Sequence, residues 1–189
     1  YAVSVCPERW RSFADILIIG EAERIWPEFL TDFISGSYKR EYREEERFDL
    51  SISPVPDYCG ILKSSMRKYS YGVVQASRGC PFRCEFCSVN IYAGNRIRYK
   101  PVVNVIKELD QSQKIGKYRY FFIVDDNFSA DIQKAKEILA AIKEWNLKQV
   151  RPVSFITQLS IDAAKDEEFL VLAAEAGLIF FSIGIETPV

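Results

Sequence analysis

Hydrophobic positions along the chain fall into two kinds of run that alternate. Short, continuous apolar stretches appear at Ala14–Gly20 (ADILIIG), Tyr71–Ser77 (YGVVQAS), Tyr120–Val124 (YFFIV), Val153–Thr157 (VSFIT) and Leu178–Glu186 (LIFFSIGIE). Runs of this length, rich in Val, Ile and Phe, predict strands buried on both faces, as in a parallel sheet. Between them apolar residues recur every three or four positions, the spacing of one helix face. One such stripe is Val102, Val105, Ile106 and Leu109, opened by Lys100-Pro101, where proline suits a first turn. A second is Ile132, Ala135, Ile138, Leu139, Ile142 and Trp145; a third is Phe169, Leu172, Ala173 and Ala176, with Gly177 placed to cap it. A shorter helix is predicted over Trp26–Phe33, with Phe29, Leu30 and Phe33 on one face.

The order from Tyr71 onward is therefore strand–helix, repeated. That alternation implies parallel strands joined by crossover helices, in an α/β barrel or a doubly wound sheet. Residues 36–66 differ in character. KREYREEER is a mixed-charge run expected to be a solvated face, and SPVPDYCG carries two prolines that break regular structure. The segment reads as a linker between a short N-terminal unit, residues 1–35, and a core, residues 67–189.

Composition narrows the chemistry. At 48% hydrophobic and 27% charged, with 9 Gly and 8 Pro in 189 residues, a packed core is expected. A formal net charge of −1 offers no general attraction to nucleic acid or anionic membrane. No apolar run is long enough for a membrane span and no signal peptide opens the chain, which begins at Tyr1 and reads as a fragment or a processed product. There is no histidine, which removes Ser-His-Asp triads, Cys-His nucleophiles and imidazole bases. Five cysteines, three of them crowded together, do not make a secreted disulfide framework; a reducing cytoplasm is expected.

In parallel α/β folds chemistry gathers at the carboxyl ends of the strands. Those ends carry Arg78-Gly79-Cys80, Asp125-Asp126-Asn127, Thr157-Gln158 and Glu186-Thr187. Acids and amides after a strand are also ordinary helix caps, so each is as much a candidate for turn formation as for ligand contact. Glu186 differs, since an unpaired carboxylate at the mouth of a buried strand is costly. The stretch SRGCPFRCEFCSV places Cys80, Cys84 and Cys87 on one loop. Thiolates bind soft metals, and three at this spacing would leave one iron of a [4Fe–4S] cube without a protein ligand. An open coordination position separates a catalytic metal site from a closed structural one. The alternatives are zinc completed by Cys59 or Cys6, or buried thiols with no ligand, although zinc favours paired C-x-x-C knuckles and only one pair is present.

C-x3-C-x-F-C, with Phe86 just before the last cysteine, resembles the signature of the radical S-adenosylmethionine (radical SAM) superfamily. The resemblance implies that Cys80, Cys84 and Cys87 ligate a [4Fe–4S] cluster and that the open iron chelates S-adenosylmethionine. Electron transfer would then cleave the sulfonium to a 5′-deoxyadenosyl radical, the cofactors supplying the radical chemistry and the protein its orientation. It also implies Phe86 near the adenine. Asp125-Asp126-Asn127 stands where the family carries a Gly-Gly-Glu-like element for the methionyl amino group, and Glu186 where a strand end contacts the ribose or methionyl part. Gln158 and Arg98 are added by position alone.

ADILIIGEAE, VVQASRGCPFRCEFCSV, GNRIRYKP, FFIVDDNF and IGIET are most similar to the cobalamin-associated branch, in which a Rossmann-like domain precedes the radical barrel. The expected fold is α/β: a partial parallel (β/α) radical-SAM barrel, incomplete at its C-terminus, preceded by the C-terminal remnant of a Rossmann-like domain. About sixty residues precede the cluster region, too few for a whole cobalamin domain, so cobalamin is expected of the full-length protein. Without histidine, this chain could offer cobalt no imidazole. The resemblance implies methyl transfer or another radical modification of a small-molecule or metabolite substrate, with a reductant such as flavodoxin or ferredoxin and no nucleic acid. Two alternatives are a tRNA methylthiotransferase-like enzyme, which would need further upstream cysteines, and a non-catalytic structural metal-binding domain.

Overall fold

A computed structural model describes residues 1–58 and 69–185. These form two compact units, one of Tyr1–Asp49 with Gly79–Ile97, the other of Leu50–Arg78 with Arg98–Val189.

The first unit holds α1 (Ala2–Val5), β1 (Leu17–Ile19), α2 (Ala22–Ser35), β2 (Glu41–Arg43) and, within its second segment, α3 (Val89–Tyr92). β1 and β2 pair in parallel, Leu17 opposite Glu41 and Ile19 opposite Arg43. Leu17, Ile19, Ile25 and Tyr42 make its buried centre. The mixed-charge run thus contains a strand that its pattern does not announce. Only Tyr42 points inward, between Glu41 and Arg43, so the period-two signal is a single residue deep. α2 extends four residues beyond the predicted start and carries Pro27 inside it. Its predicted face is only partly covered: Phe29 is half-buried against Tyr42, ring centroids 5.6 Å apart, Leu30 and Phe33 are exposed, and Ile25 is the buried residue. Phe29 and Phe33 instead join an aromatic row with Trp26 and Tyr38, centroids 5.3–5.6 Å apart.

The second unit contains β3 (Gly72–Val74), β4 (Ser77–Arg78), β5 (Arg98–Tyr99), α4 (Val102–Gly116), β6 (Tyr120–Ile123), α5 (Ile132–Leu147), β7 (Ser154–Gln158), α6 (Glu167–Ala176) and β8 (Leu178–Ser182). β3, β6, β7 and β8 form one sheet in that order, every pair parallel, as the alternating pattern requires. Val74, Phe121, Ile123 and Phe155 from the strands pack against Val105, Leu109, Ile138, Leu139, Ile142, Phe169 and Ala173 from the helices. Each fully buried large side chain contributes roughly 1.5–3 kcal/mol. The three helix stripes read from the sequence are thus the ones buried, and Gly177 closes α6 at φ +92°, a conformation glycine adopts freely.

One predicted strand divides. YGVVQAS supplies β3 to the parallel sheet, then turns so that Ser77–Arg78 pairs antiparallel with Arg98–Tyr99. Residues 79–97, with the cysteines, are the excursion between these two short strands.

Candidate functional site

The cysteine loop is organised from its base. Gly79 has φ +97°, and a side chain there would press to 2.5 Å from the Arg96 carbonyl and to 3.2 and 3.3 Å from those of Gly94 and Ala93. Only glycine lets the incoming arm lie so close to the outgoing one. The Cys80 N–H donates to the Gly94 carbonyl at 3.2 Å, joining the arms. Within the loop the Cys87 N–H donates to the Cys84 carbonyl at 3.0 Å, and Asn90 Nδ2 to the Phe82 carbonyl at 2.7 Å. Cys84 is exposed and Cys80 and Cys87 are partly so, while Phe86 is 70% exposed.

Among the described residues no three Cys, Asp or Glu side chains converge as ligands of a single ion would. A [4Fe–4S] cube asks for something else, since each cysteine meets a different iron. Three cysteines on one braced loop, one exposed and two partly exposed, suit that group. Cys59, one proposed completion of a zinc site, lies outside the described residues; Cys6 is partly exposed in the first unit.

In the second unit, the described ends of β6 and β7 carry Asp125-Asp126-Asn127 and Thr157-Gln158. Asp125, two residues beyond β6, has no exposed surface. One oxygen accepts from the Ala76 N–H at 2.8 Å and the other from the Ser77 hydroxyl at 2.6 Å. Burial pushes its carboxyl up to about 6, with the Ser77 and Ala76 donors pulling the other way. Asn127 is also turned into the protein: its Oδ1 accepts from Ser129 Oγ at 3.2 Å and from the Ser160 N–H at 3.3 Å. The Phe128 N–H donates to the Gln158 carbonyl at 3.0 Å, so the ends of β6 and β7 are sewn together. The cap of α5 is Asp131, whose Oδ1 accepts from Gln133 and Lys134, not one of the three residues weighed for that role. Asp126 is half-buried and the Gln158 side chain exposed, both at strand ends. Arg98 lies in β5, opposite Arg78, and Glu186 falls outside the described residues. Ser77, Ser129 and Ser160, which complete the rim's bonding, had no sequence signal beyond their place after strands.

A family model for the radical SAM superfamily matches residues 74–189. The chain belongs to the radical SAM superfamily. Membership carries S-adenosylmethionine and a [4Fe–4S] cluster as its cofactors. An uncharacterized methyltransferase of Synechocystis is 35% identical over 188 residues, covering 100% of this chain and 34% of the relative. The hopanoid C-2 methylase of Rhodopseudomonas palustris is 30% identical over 191 residues, covering 99% of this chain and 36% of its own. Among solved structures, the cobalamin-dependent S-adenosylmethionine radical enzyme OxsB, with aqua-cobalamin and S-adenosylmethionine bound, superposes with a TM-score of 0.79. At 19% identity over 99% of this chain and 30% of that one, the likeness establishes the α/β fold. The chain spans about a third of the length of the curated relatives it matches. No described helix of this radical SAM chain is long and apolar enough to cross a membrane.

Proposed function

We propose that Cys80, Cys84 and Cys87 hold the [4Fe–4S] cluster and leave one iron for S-adenosylmethionine, in a protein that transfers methyl groups or makes another radical modification. Held by these three cysteines, the cluster would supply the electron for reductive cleavage of S-adenosylmethionine. The observation that carries the reading is the cysteine loop, with three wholly or partly exposed cysteines between arms that Gly79 and the Cys80–Gly94 bond hold together.

The chain's own residues divide the remaining work. The Asp125 carboxylate and the Asn127 Oδ1 bond inside the fold and brace the strand ends. Asp126 and Gln158 are the rim groups we assign to the methionyl or ribose part, with Glu186 as a further contact. Phe86, largely exposed, offers an apolar face for the adenine. We assign the core to residues 67–189, with residues 1–35 as the remnant of a Rossmann-like domain and 36–66 as the stretch between them, whose β2 pairs with β1. Names among the relatives favour methyl transfer to small molecules: besides the hopanoid methylase they include a bacteriochlorophyllide d C-8(2)-methyltransferase of Chlorobaculum tepidum. OxsB, solved with aqua-cobalamin, supports cobalamin in the full-length protein. The electron would come from a low-potential donor of the flavodoxin or ferredoxin class.

The test is anaerobic reconstitution with ferrous iron and sulfide, reduction, and assay of 5′-deoxyadenosine formed from S-adenosylmethionine. Wild-type chain is expected to form it, and C80A, C84A and C87A not to. Turnover that survives loss of any of the three cysteines would overturn the assignment.

A further inference from the structure

The charge run of the first unit contains a pair whose bonds lead to the cluster loop. Arg47 Nη1 donates to the Tyr92 carbonyl and Nη2 to the Ile91 carbonyl, both at 2.8 Å. These carbonyls end α3, the one-turn helix that follows the third cysteine, and helix ends leave such groups without intrahelical donors. A guanidinium meets them with two parallel donors and with the charge that suits a helix C-terminus.

Arg47 is itself held. Its Nη1 also donates to Glu44 Oε2 at 2.7 Å. The Glu44 side chain is 7% exposed and accepts from the Phe48 N–H at 3.1 Å and the Glu21 N–H at 3.2 Å. A buried carboxylate with three donors is a fixed anchor. Beyond α3, a side chain on Gly94 would touch Arg47 at 3.4 Å, and the Gly94 carbonyl accepts the Cys80 N–H. A continuous path runs from Glu44 through Arg47 to residues 91–94 and on to the backbone of the first cysteine.

We propose that Glu44 and Arg47 are positioning residues for the cluster, fixing the outgoing arm of the loop against which Cys80 is set. The proposal rests on the reading of Cys80 as a cluster ligand. Groups that orient metal ligands without touching the metal change affinity when removed, typically by about 10- to 100-fold.

The test compares wild-type chain with R47M, R47K and E44Q, each reconstituted with ferrous iron and sulfide. Iron release to a chelator and the electron paramagnetic resonance spectrum of the reduced cluster are read beside circular dichroism of the chain. R47M is expected to keep the wild-type circular dichroism yet release iron about 10- to 100-fold faster, with an altered resonance signal. R47K, with a point charge in place of the fork, should recover part of the loss. A folded R47M with wild-type iron retention and line shape overturns the proposal. Should R47M fail to fold, E44Q carries the test: its one amide oxygen still accepts from the Phe48 N–H, while an NH2 group replaces the Oε2 that holds Arg47 and the Glu21 N–H, so faster release supports the proposal and unchanged release overturns it. Wild-type chain that takes up no cluster refutes the cysteine assignment and this proposal together. A wild-type cluster beside unaffected variants refutes the positioning role alone.

Discussion

Asp125 shows how an acid at a strand end can serve the fold. Its carboxyl is buried among the groups it binds, so the charged form is costly in the folded chain and cheap in the unfolded one. A folded value of about 6 against an ordinary 3.8 means that its contribution to stability is present below the ordinary value and lost as pH rises through about 6. Asparagine in its place can accept from Ala76 and donate to Ser77 without charge. D125N should therefore gain on wild type as pH rises from 4 to 7 in thermal melts, and a constant gap between the two would contradict this. Gly79 makes a second residue-scale prediction. At φ +97°, with the Arg96 carbonyl 2.5 Å from where a Cβ would stand, G79V should lose cluster binding in iron analysis while the helices of the second unit keep their circular dichroism. The three cysteines were legible because spacing on one loop is local information. The engagement of Asp125 and Asn127 was not, because nothing local says that Ser77 or Ser160 will stand across from them.

At the scale of elements, what was read correctly is what periodicity encodes. α4, α5 and α6 bury the stripes that their sequences display, and β6 and β7 are continuous apolar runs; β8 keeps only Leu178–Ser182 of the run predicted to Glu186, with Ile179 and Phe180 exposed rather than buried. The failures come from elements with almost no pattern. β2 shows one buried residue in three, and α2 buries Ile25 and half-buries Phe29 while Trp26, Leu30 and Phe33 face outward. Asn146 was invisible for a different reason. Near the end of α5, its amide donates to the carbonyls of Val153 and Ala176 and accepts from the Val153 N–H, at 2.8–3.1 Å, so one polar side chain ties α5 to the start of β7 and the end of α6. N146A leaves three backbone groups buried without those partners, and chemical denaturation should show a loss of about 3 kcal/mol or more. D131A, which removes the α5 cap, should cost about 1 kcal/mol in the same measurement.

At the scale of the molecule, two compact units share one chain, and the cysteine loop is contiguous in sequence with β4 and β5 yet compact with the N-terminal residues. Sequence spacing identified the loop, but the Glu44–Arg47 pair that supports it lies more than forty residues upstream of α3, in a run whose charges alone suggest only solvation. The central claim is that three cysteines hold a cluster with one iron open to S-adenosylmethionine. Its most direct test is the electron paramagnetic resonance spectrum of the reconstituted, reduced chain before and after S-adenosylmethionine is added. The account predicts about four irons per chain and a reduced-cluster signal that changes on addition. Zinc in place of iron, or a cluster signal indifferent to S-adenosylmethionine, would contradict it.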